Sequence, residues 1–259
     1  MPYTRSGETT IHYEVTGNPL KPWLVLSNSL GTDIGFWDDQ VGVLESDFRI
    51  LRYDTRGHGG SGAPEGDYTF EQLGGDVLAV MDAAGADTAR FCGLSMGGTT
   101  GLWLAINAPQ RFEQLVLCNT GAKIGDASVW QPRIDAVKSD GIAPIVEGVV
   151  ERWFTEGFRQ AEPKTVDRIR AMILRTSPAG YAGCCAALRD TDLRAGMQAI
   201  RLPTLVVAGA HDPATPPALS EEIRAAIPGS RMVTLPAAHL SNIEARAEFN
   251  DAVSDFLKG

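Results

Sequence analysis

The sequence of 259 residues predicts an α/β fold, in which a mostly parallel sheet is covered by helices on both faces. Short runs rich in β-branched residues alternate with helical patterns, and these runs are apolar throughout, as strands buried on both faces are. From Gly121 to about Leu193 the alternation stops, and only helical patterns remain. We therefore expect one domain with an insert: a sheet-containing core of residues 1–121 and 195–259, and a helical cap of residues 122–194.

The individual elements follow from local patterns. The predicted strands are 23–29, 48–54, 88–94, 113–119, 203–209 and 231–236. Thr69 and Gln72 predict a capping box at the start of a helix that ends near Gly85. Another helix is expected to start at Ser95 and to run toward Pro109. The helical segments of the cap are 128–139, 144–159, 163–176 and 178–189.

Composition narrows the function classes. The net charge is −9 and the pI is about 5.0, so the surface should repel nucleic acids and anionic membranes. The N-terminus is polar where a secretory signal needs an apolar run, and no apolar run approaches the length of a membrane span. The four cysteines are spaced neither as a disulfide framework nor as metal ligands. We expect a cytoplasmic protein with no cofactor and no metal.

One motif carries the chemistry. Residues 93–97 read Gly-Leu-Ser-Met-Gly, a match to G-x-S-x-G, which is a weak signal in a chain with 28 glycines. Its setting strengthens the signal, because a predicted strand enters it and a predicted helix leaves it. Such a sharp turn exposes the serine hydroxyl above the sheet. We predict that Ser95 is a nucleophile; the alternative is a glycine-rich turn whose serine caps the helix.

A serine nucleophile needs a base, and the chain has four histidines. His12 lies in an N-terminal strand pattern, where we expect a surface position. His58 lies in a tight glycine loop, where we expect a structural role near the rim of the site. His211 directly precedes Asp212. His239 follows the last strand and completes the chain order serine, acid, histidine, so we predict that it is the base.

The acid and the oxyanion hole follow from strand ends. Asp212 comes just after the strand 203–209, where catalytic groups gather in such sheets, although Asp-Pro is also a common turn opener. The loop after 113–119 offers no carboxylate. We therefore predict that Asp212 orients His239. The backbone N–H of Met96 and that of Leu30, in the loop after the first strand, are the predicted oxyanion-hole donors.

Taken together, these motifs resemble the α/β-hydrolase superfamily across essentially the whole chain. Within it the sequence is most similar to the bacterial 3-oxoadipate enol-lactonases. Most superfamily members carry His-Gly in the oxyanion loop, where this chain has Asn28-Ser29, as the enol-lactonases do. The strings that carry the likeness are LSNSLGTD (26–33), YDTRGHGGS (53–61), GLSMGG (93–98), CNTGAKIG (118–125), SPAGYAGCCAALRDTDLR (177–194) and HLSNIE (239–244).

The resemblance implies a lactone-opening hydrolase in aromatic degradation by the protocatechuate and catechol route. Ser95 would attack the lactone carbonyl, and water activated by His239 would release 3-oxoadipate. The substrate carries a carboxylate that an acidic protein must hold with a cation. Arg133, one helical turn after Trp130, is the first candidate, and an exposed Arg133 on a solvated helix face is the alternative. Lys123 is a second candidate.

Other functions fit the same residues. For the lactonase we expect Trp130 or Trp153 to form a wall of the pocket against the lactone ring. A general carboxylesterase or a cofactor-free perhydrolase would use the same triad. The fold also serves as a ligand-binding receptor without catalysis, and as an acyltransferase. A haloalkane dehalogenase is disfavoured because its nucleophile is an aspartate, and position 95 is serine.

Overall fold

The computed structural model describes residues 2–259, and its centre is an eight-stranded sheet. The sheet order is β1-β2-β4-β3-β5-β6-β7-β8. The β1–β2 and β2–β4 pairs are antiparallel, and the remaining pairs are parallel. The strands are β1 (Tyr3–Ser6), β2 (Thr9–Gly17), β3 (Trp23–Ser27), β4 (Arg49–Tyr53), β5 (Ala89–Leu94), β6 (Phe112–Cys118), β7 (Thr204–Gly209) and β8 (Arg231–Leu235). All six predicted strands are present, and the predicted mostly parallel α/β architecture is confirmed.

Side chains on alternate positions of the parallel strands enter two separate cores, one on each face of the sheet. On β3, Leu24 and Leu26 join one core and Val25 joins the other. The first core also takes in apolar residues of the inserted helices, whereas the second packs against the helices after β4, β5 and β7. Burial of both faces explains why these strands are apolar at successive positions.

The helices surround the sheet, and five of them come between β6 and β7. They are α1 (Asp38–Leu44), α2 (Phe70–Ala84), α3 (Met96–Asn107), α4 (Ala127–Asp140), α5 (Val146–Trp153), α6 (Glu156–Ala161), α7 (Pro163–Arg175), α8 (Pro178–Asp190), α9 (Pro217–Ala226), α10 (Ser241–Glu244) and α11 (Arg246–Lys258). No helix between Pro2 and Gly259 is long and apolar enough to cross a membrane. The helices α4 to α8 are the elements that the sequence assigns to the cap, and the division at 121/122 and 194/195 stays a prediction.

Two helix predictions have different outcomes. The capping box at the start of α2 is present, with the Thr69 side chain accepting from the Gln72 N–H and the Gln72 side chain accepting from the Thr69 N–H. The single helix predicted over 144–159 is wrong. Phe154 and Thr155 have extended backbones, and the Thr155 hydroxyl accepts from the Phe158 N–H to start a new helix.

Strand order determines where a site can form. From β3 the chain continues to β4 on one side, whereas β5 lies on the other side of β3. The order of the parallel strands reverses at this point, and in open α/β sheets ligands bind beyond the carboxyl ends of the strands at such a reversal. The loop after β3 and the turn after β5 therefore face each other across a crevice.

Candidate active site

Ser95 lies on a strained turn between β5 and α3. Its φ is 58° and its ψ is −119°, a positive-φ conformation that residues other than glycine rarely adopt. The chain passes very close to itself here. A Cβ at Gly93 would lie 2.3 Å from the Gly97 carbonyl oxygen, and one at Gly97 would lie 2.2 Å from that of Ser27. Glycine is thus required on both sides of the serine, as the predicted nucleophile elbow demands.

Asp212 is buried beyond β7, and hydrogen bonds hold both of its carboxylate oxygens. Oδ1 accepts from the backbone N–H groups of Ala214 at 2.8 Å and Thr215 at 2.9 Å. Oδ2 accepts from the Thr215 hydroxyl at 2.6 Å and from Asn119 Nδ2 at 3.0 Å. Burial opposes ionisation of this carboxyl, but the neighbouring His239 and these hydrogen bonds outweigh burial and lower the pKa of Asp212.

His239 follows β8 and meets this carboxylate directly. Its Nδ1 lies 2.8 Å from Asp212 Oδ2, and both side chains are buried. An ionised Asp212 accepts a hydrogen bond and cannot donate one, so Nδ1 carries the proton and Nε2 is left as the basic nitrogen. His239 and Ser95 both line one cavity at this end of the sheet. The structure therefore brings the three predicted triad residues together.

The predicted oxyanion-hole donors flank Ser95. Leu30 lines the same cavity, and Met96 is the first residue of α3. Among the residues that the structure describes, neither backbone N–H has a hydrogen-bond partner. The next residue along the first loop is anchored, because the Gly31 N–H donates to His58 Nε2 at 2.8 Å. Burial lowers the pKa of His58 and so favours the neutral ring that this bond requires.

The structure corrects the expected position of His12, which is buried and not at the surface. Its Nδ1 lies 2.6 Å from Asp54 Oδ2, and its ring packs over Gly60, where a Cβ would lie 3.1 Å from the ring. The loop that follows β4 covers this position of β2. A strand pattern alone gives no sign of that cover.

The cavity beside Ser95 has a volume of about 280 Å³. This lies just below the range of roughly 300–1,000 Å³ that is usual for small-molecule sites. Its walls are mainly apolar, and two tryptophans of the inserted helices form part of them. The Trp130 indole N–H donates to the Ile124 carbonyl at 2.5 Å, and the Trp153 ring centre lies 6.1 Å from that of His239.

Two arginines bring positive charge into these walls. Arg133 lies on α4, with its guanidinium 5.2 Å from the centre of the Trp130 ring, and Arg152 lies on α5. Neither pairs with a carboxylate of residues 2–259. Burial, and then the charge of Arg133, lower the pKa of Arg152. The two guanidiniums therefore leave positive charge in the cavity that protein carboxylates do not neutralise.

The structure brings some of the predicted substrate-binding residues together and leaves one out. Arg133, Trp130 and Trp153 line the cavity, whereas Lys123 does not. Lys123 instead lies where its charge acts on three acidic residues, Asp126, Asp190 and Asp192.

Sequence reasoning missed three residues of this site: Arg152, Asn119 and Thr215. Arg152 could have been found from its position in the helix, because it lies three residues after Val149 and directly before Trp153. Both of these residues line the cavity. For Thr215 the signal is the turn that Asp212-Pro213 opens, which returns backbone and hydroxyl donors to the aspartate. Asn119 appeared in the sequence only as a position without a carboxylate.

Comparison with known proteins agrees with this geometry. Residues 22–245 match the model of the alpha/beta hydrolase fold family. The 3-oxoadipate enol-lactonase 2 of Acinetobacter baylyi is 42% identical, over an alignment that covers 97% of this chain and 94% of that protein. The 3-oxoadipate enol-lactonase 1 of the same organism is 39% identical, over 98% of this chain and 95% of that protein. The enol-lactonase of Burkholderia xenovorans LB400 has a crystal structure with a TM-score of 0.98, 46% identity and full coverage of both chains. The likeness predicted from the sequence motifs is confirmed: the chain belongs to the α/β-hydrolase family and is a hydrolase.

Proposed function

We propose that this protein is a serine hydrolase that opens a small lactone bearing a carboxylate, namely 3-oxoadipate enol-lactone. The observation that carries the proposal is the cavity itself. Ser95 and His239 line a mainly apolar cavity together with Arg133 and Arg152, and neither arginine forms a salt bridge within residues 2–259. A neutral ester would leave these partly buried guanidiniums without a counter-charge, whereas a carboxylate-bearing lactone supplies one. The names of the similar proteins supply the particular lactone.

In the first half-reaction Ser95 Oγ attacks the lactone carbonyl carbon while His239 Nε2 takes the hydroxyl proton. The resulting oxyanion accepts from the N–H groups of Leu30 and Met96, which have no other acceptor within the described chain. The bond between the carbonyl carbon and the ring oxygen then breaks. That oxygen leaves as an enolate, a stabilised anion, so bond breaking itself needs little acid catalysis. The enolate then takes the proton from His239 Nε2, which gives the enol and restores the base for the second half-reaction.

In the second half-reaction a water molecule attacks the acyl-enzyme and His239 takes its proton. The tetrahedral intermediate uses the same two N–H donors, and its collapse returns the proton to Ser95 and frees the acid. The released enol tautomerises to 3-oxoadipate. Asp212 keeps the proton on Nδ1 throughout and stabilises the positive ring that forms twice in the cycle.

The carboxylate arm of the substrate takes no part in these steps, and we assign its binding to Arg133 and Arg152. Each guanidinium offers several N–H donors in a fixed plane, which suits a carboxylate. A bound carboxylate would also relieve the repulsion between the two guanidiniums that contributes to the lowered pKa of Arg152. Trp130 and Trp153 pack against the lactone ring on the cap side, so the segment 122–194 acts as the cap that selects the substrate.

We also place the enzyme in the cytoplasm. Its four cysteines are free thiols and are buried, as suits a reducing compartment. Burial raises the pKa of the thiols of Cys118, Cys184 and Cys185, so these groups stay protonated and unreactive.

A direct substrate comparison tests the proposed function. The purified protein is assayed on 3-oxoadipate enol-lactone, on a neutral lactone of the same ring size and on small aryl esters. We expect kcat/KM for the carboxylate-bearing lactone to exceed that for the neutral lactone by at least about tenfold, the effect of one hydrogen bond to a charged group. Equal values, or a preference for aryl esters, would instead indicate a general carboxylesterase.

A further inference from the structure

Glu244 lies outside the cavity but next to the loop that carries His239. It is the last residue of the short helix α10, which begins two positions after His239. It is partly buried, and its carboxylate accepts hydrogen bonds from two segments that lie far apart in the sequence. One segment is the His239 loop, and the other is the break between the cap helices α5 and α6.

On the side of the His239 loop, Glu244 Oε2 accepts from the Ala238 N–H at 2.9 Å. Ala238 directly precedes His239, so this bond fixes the backbone from which the imidazole projects. The Ala238 carbonyl accepts in turn from Asn119 Nδ2 at 3.1 Å. Glu244 and Asn119 therefore hold the same residue from two directions.

On the cap side, the same carboxylate accepts from Thr155. The Thr155 N–H lies 3.3 Å from both oxygens, and the Thr155 hydroxyl donates to Oε1. Thr155 is the residue at which the predicted helix 144–159 breaks into α5 and α6. Because of that break its N–H has no helical acceptor and is free to reach Glu244.

A third link runs in parallel with these two. The Leu240 N–H, immediately after His239, donates to the Trp153 carbonyl at 3.1 Å. Trp153 ends α5 and lines the cavity, next to Arg152. The residues on both sides of His239 are thus joined to the two ends of the α5–α6 break.

We propose that Glu244 is a positioning residue that couples the cap to the catalytic histidine. Its carboxylate holds the His239 loop and the α5–α6 break at a fixed separation. The cavity residues Arg152 and Trp153 therefore keep their place relative to the base. The inference rests on the proposed function, since it concerns the same site. Loss of the carboxylate should disturb both partners at once, lowering kcat through His239 and raising KM through the cap.

The test compares Glu244→Gln with Glu248→Gln, an exposed glutamate on the neighbouring helix α11. If the new amide nitrogen of Glu244→Gln faces Ala238, the Ala238 N–H loses its acceptor; if it faces Thr155, the hydroxyl must reverse and accept from it. In both orientations the remaining hydrogen bonds lose the negative charge that strengthens them. The readouts are kcat and KM on the lactone, the rate at which a fluorophosphonate labels Ser95, and Tm. Labelling depends on His239 and not on the lactone. A wild-type protein that labels but does not hydrolyse the lactone would therefore overturn the proposed substrate, while the labelling rates would still test the coupling.

We expect Glu244→Gln to slow labelling and to lower kcat about 10- to 100-fold, as sub-ångström to ångström displacements of a catalytic group do, with a higher KM. Glu248→Gln should stay within about twofold of wild type. A lower Tm with unchanged labelling and kinetics would overturn the proposal, because it would show a merely structural role.

A second variant covers the case in which Glu244→Gln does not fold. Thr155→Val removes the hydroxyl that donates to Glu244 and also caps α6 through the Phe158 N–H, and it leaves both the carboxylate and the Thr155 backbone N–H. On the proposal it slows labelling of Ser95, although it lies on the cap and does not line the cavity. If both variants fold, their effects should be less than additive, since they break one shared contact. Unchanged labelling in Thr155→Val, or full additivity, contradicts the coupling.

Discussion

The carboxyl end of the sheet and the cap face of the cavity are built in opposite ways. At the sheet end, both oxygens of Asp212 are occupied by protein donors, and the Ser95 turn is held by the close packing of Gly93 and Gly97. On the cap face, Arg133 and Arg152 have no carboxylate partner between Pro2 and Gly259, and burial lowers the pKa of Arg152. On the proposed function, the groups that perform the chemistry are fixed before substrate binds, whereas the groups that face its carboxylate are left for it to satisfy.

This difference separates two properties of the enzyme. A preorganised serine, base and acid should act on any ester that reaches them. An unpaired cationic wall should decide which esters reach them productively. Changes at the sheet end should therefore lower activity on all substrates together, and changes on the cap face should alter the ratio between substrates.

The largest effect is expected from Ser95→Ala, which removes the proposed nucleophile. Turnover of both the lactone and a neutral ester should fall by roughly 10⁴–10⁶-fold. Because the strained φ of 58° is retained and the change is small, circular dichroism and Tm should show a folded protein. Substantial activity in a folded Ser95→Ala protein would mean that the sheet end is not where the chemistry occurs.

Asp212→Asn should have the next largest effect, on the order of 10⁴-fold in kcat. The side-chain amide of this variant can donate to His239 Nδ1. The imidazole then carries its proton on Nε2, so the cavity no longer has a basic nitrogen. Both substrates should suffer equally, since the cap is untouched. Steady-state kinetics on the two substrates measures this, and a loss confined to one of them would argue against the separation of chemistry from selection.

The acid side of the pH profile tests the electrostatics of the sheet end. The pKa of Asp212 is lowered, so Asp212 stays ionised as the pH falls and adds no protonation step of its own to the loss of the base. Activity should therefore decline at low pH with a slope of one, about tenfold per pH unit. Measurements of log kcat/KM, made over the range in which the protein stays folded, provide the check. A slope of two would mean that Asp212 protonates as well, the result expected had its pKa been raised.

The sequence predicts the sheet end well because its constraints are local. Glycines on both sides of Ser95, a strand before it and a helix after it describe a turn that few other sequences can form. Asp212 and His239 each follow a strand, and parallel strands bring their carboxyl ends together. The buried position of His12 escaped prediction because it depends on a loop that folds back from another part of the chain.

The cap is harder to predict because its helices face the cavity only after tertiary packing. The pattern of α5 shows its apolar face but does not show that Arg152, beside that face, reaches the site. Arg133 is the first candidate in the sequence and Lys123 the weaker second one, and only Arg133 lines the cavity. At the break, Thr155 bonds to Glu244, 89 residues away, so no local window contains this contact.

The most direct test of the division between chemistry and selection compares two substrates, 3-oxoadipate enol-lactone and a neutral ester of similar size. The ratio of their kcat/KM values is measured in Arg133→Ala, in Arg152→Ala and in the control Lys138→Ala. Lys138 is an exposed cation on the same helix as Arg133 and lies outside the cavity. Each arginine variant should lower kcat/KM for the lactone by about 1.5–3 kcal/mol, or roughly 10- to 100-fold, and barely change the ester. Lys138→Ala should leave the ratio at the wild-type value. Equal losses on lactone and ester would show that the arginines support packing of the cap, and would contradict their role in holding the carboxylate.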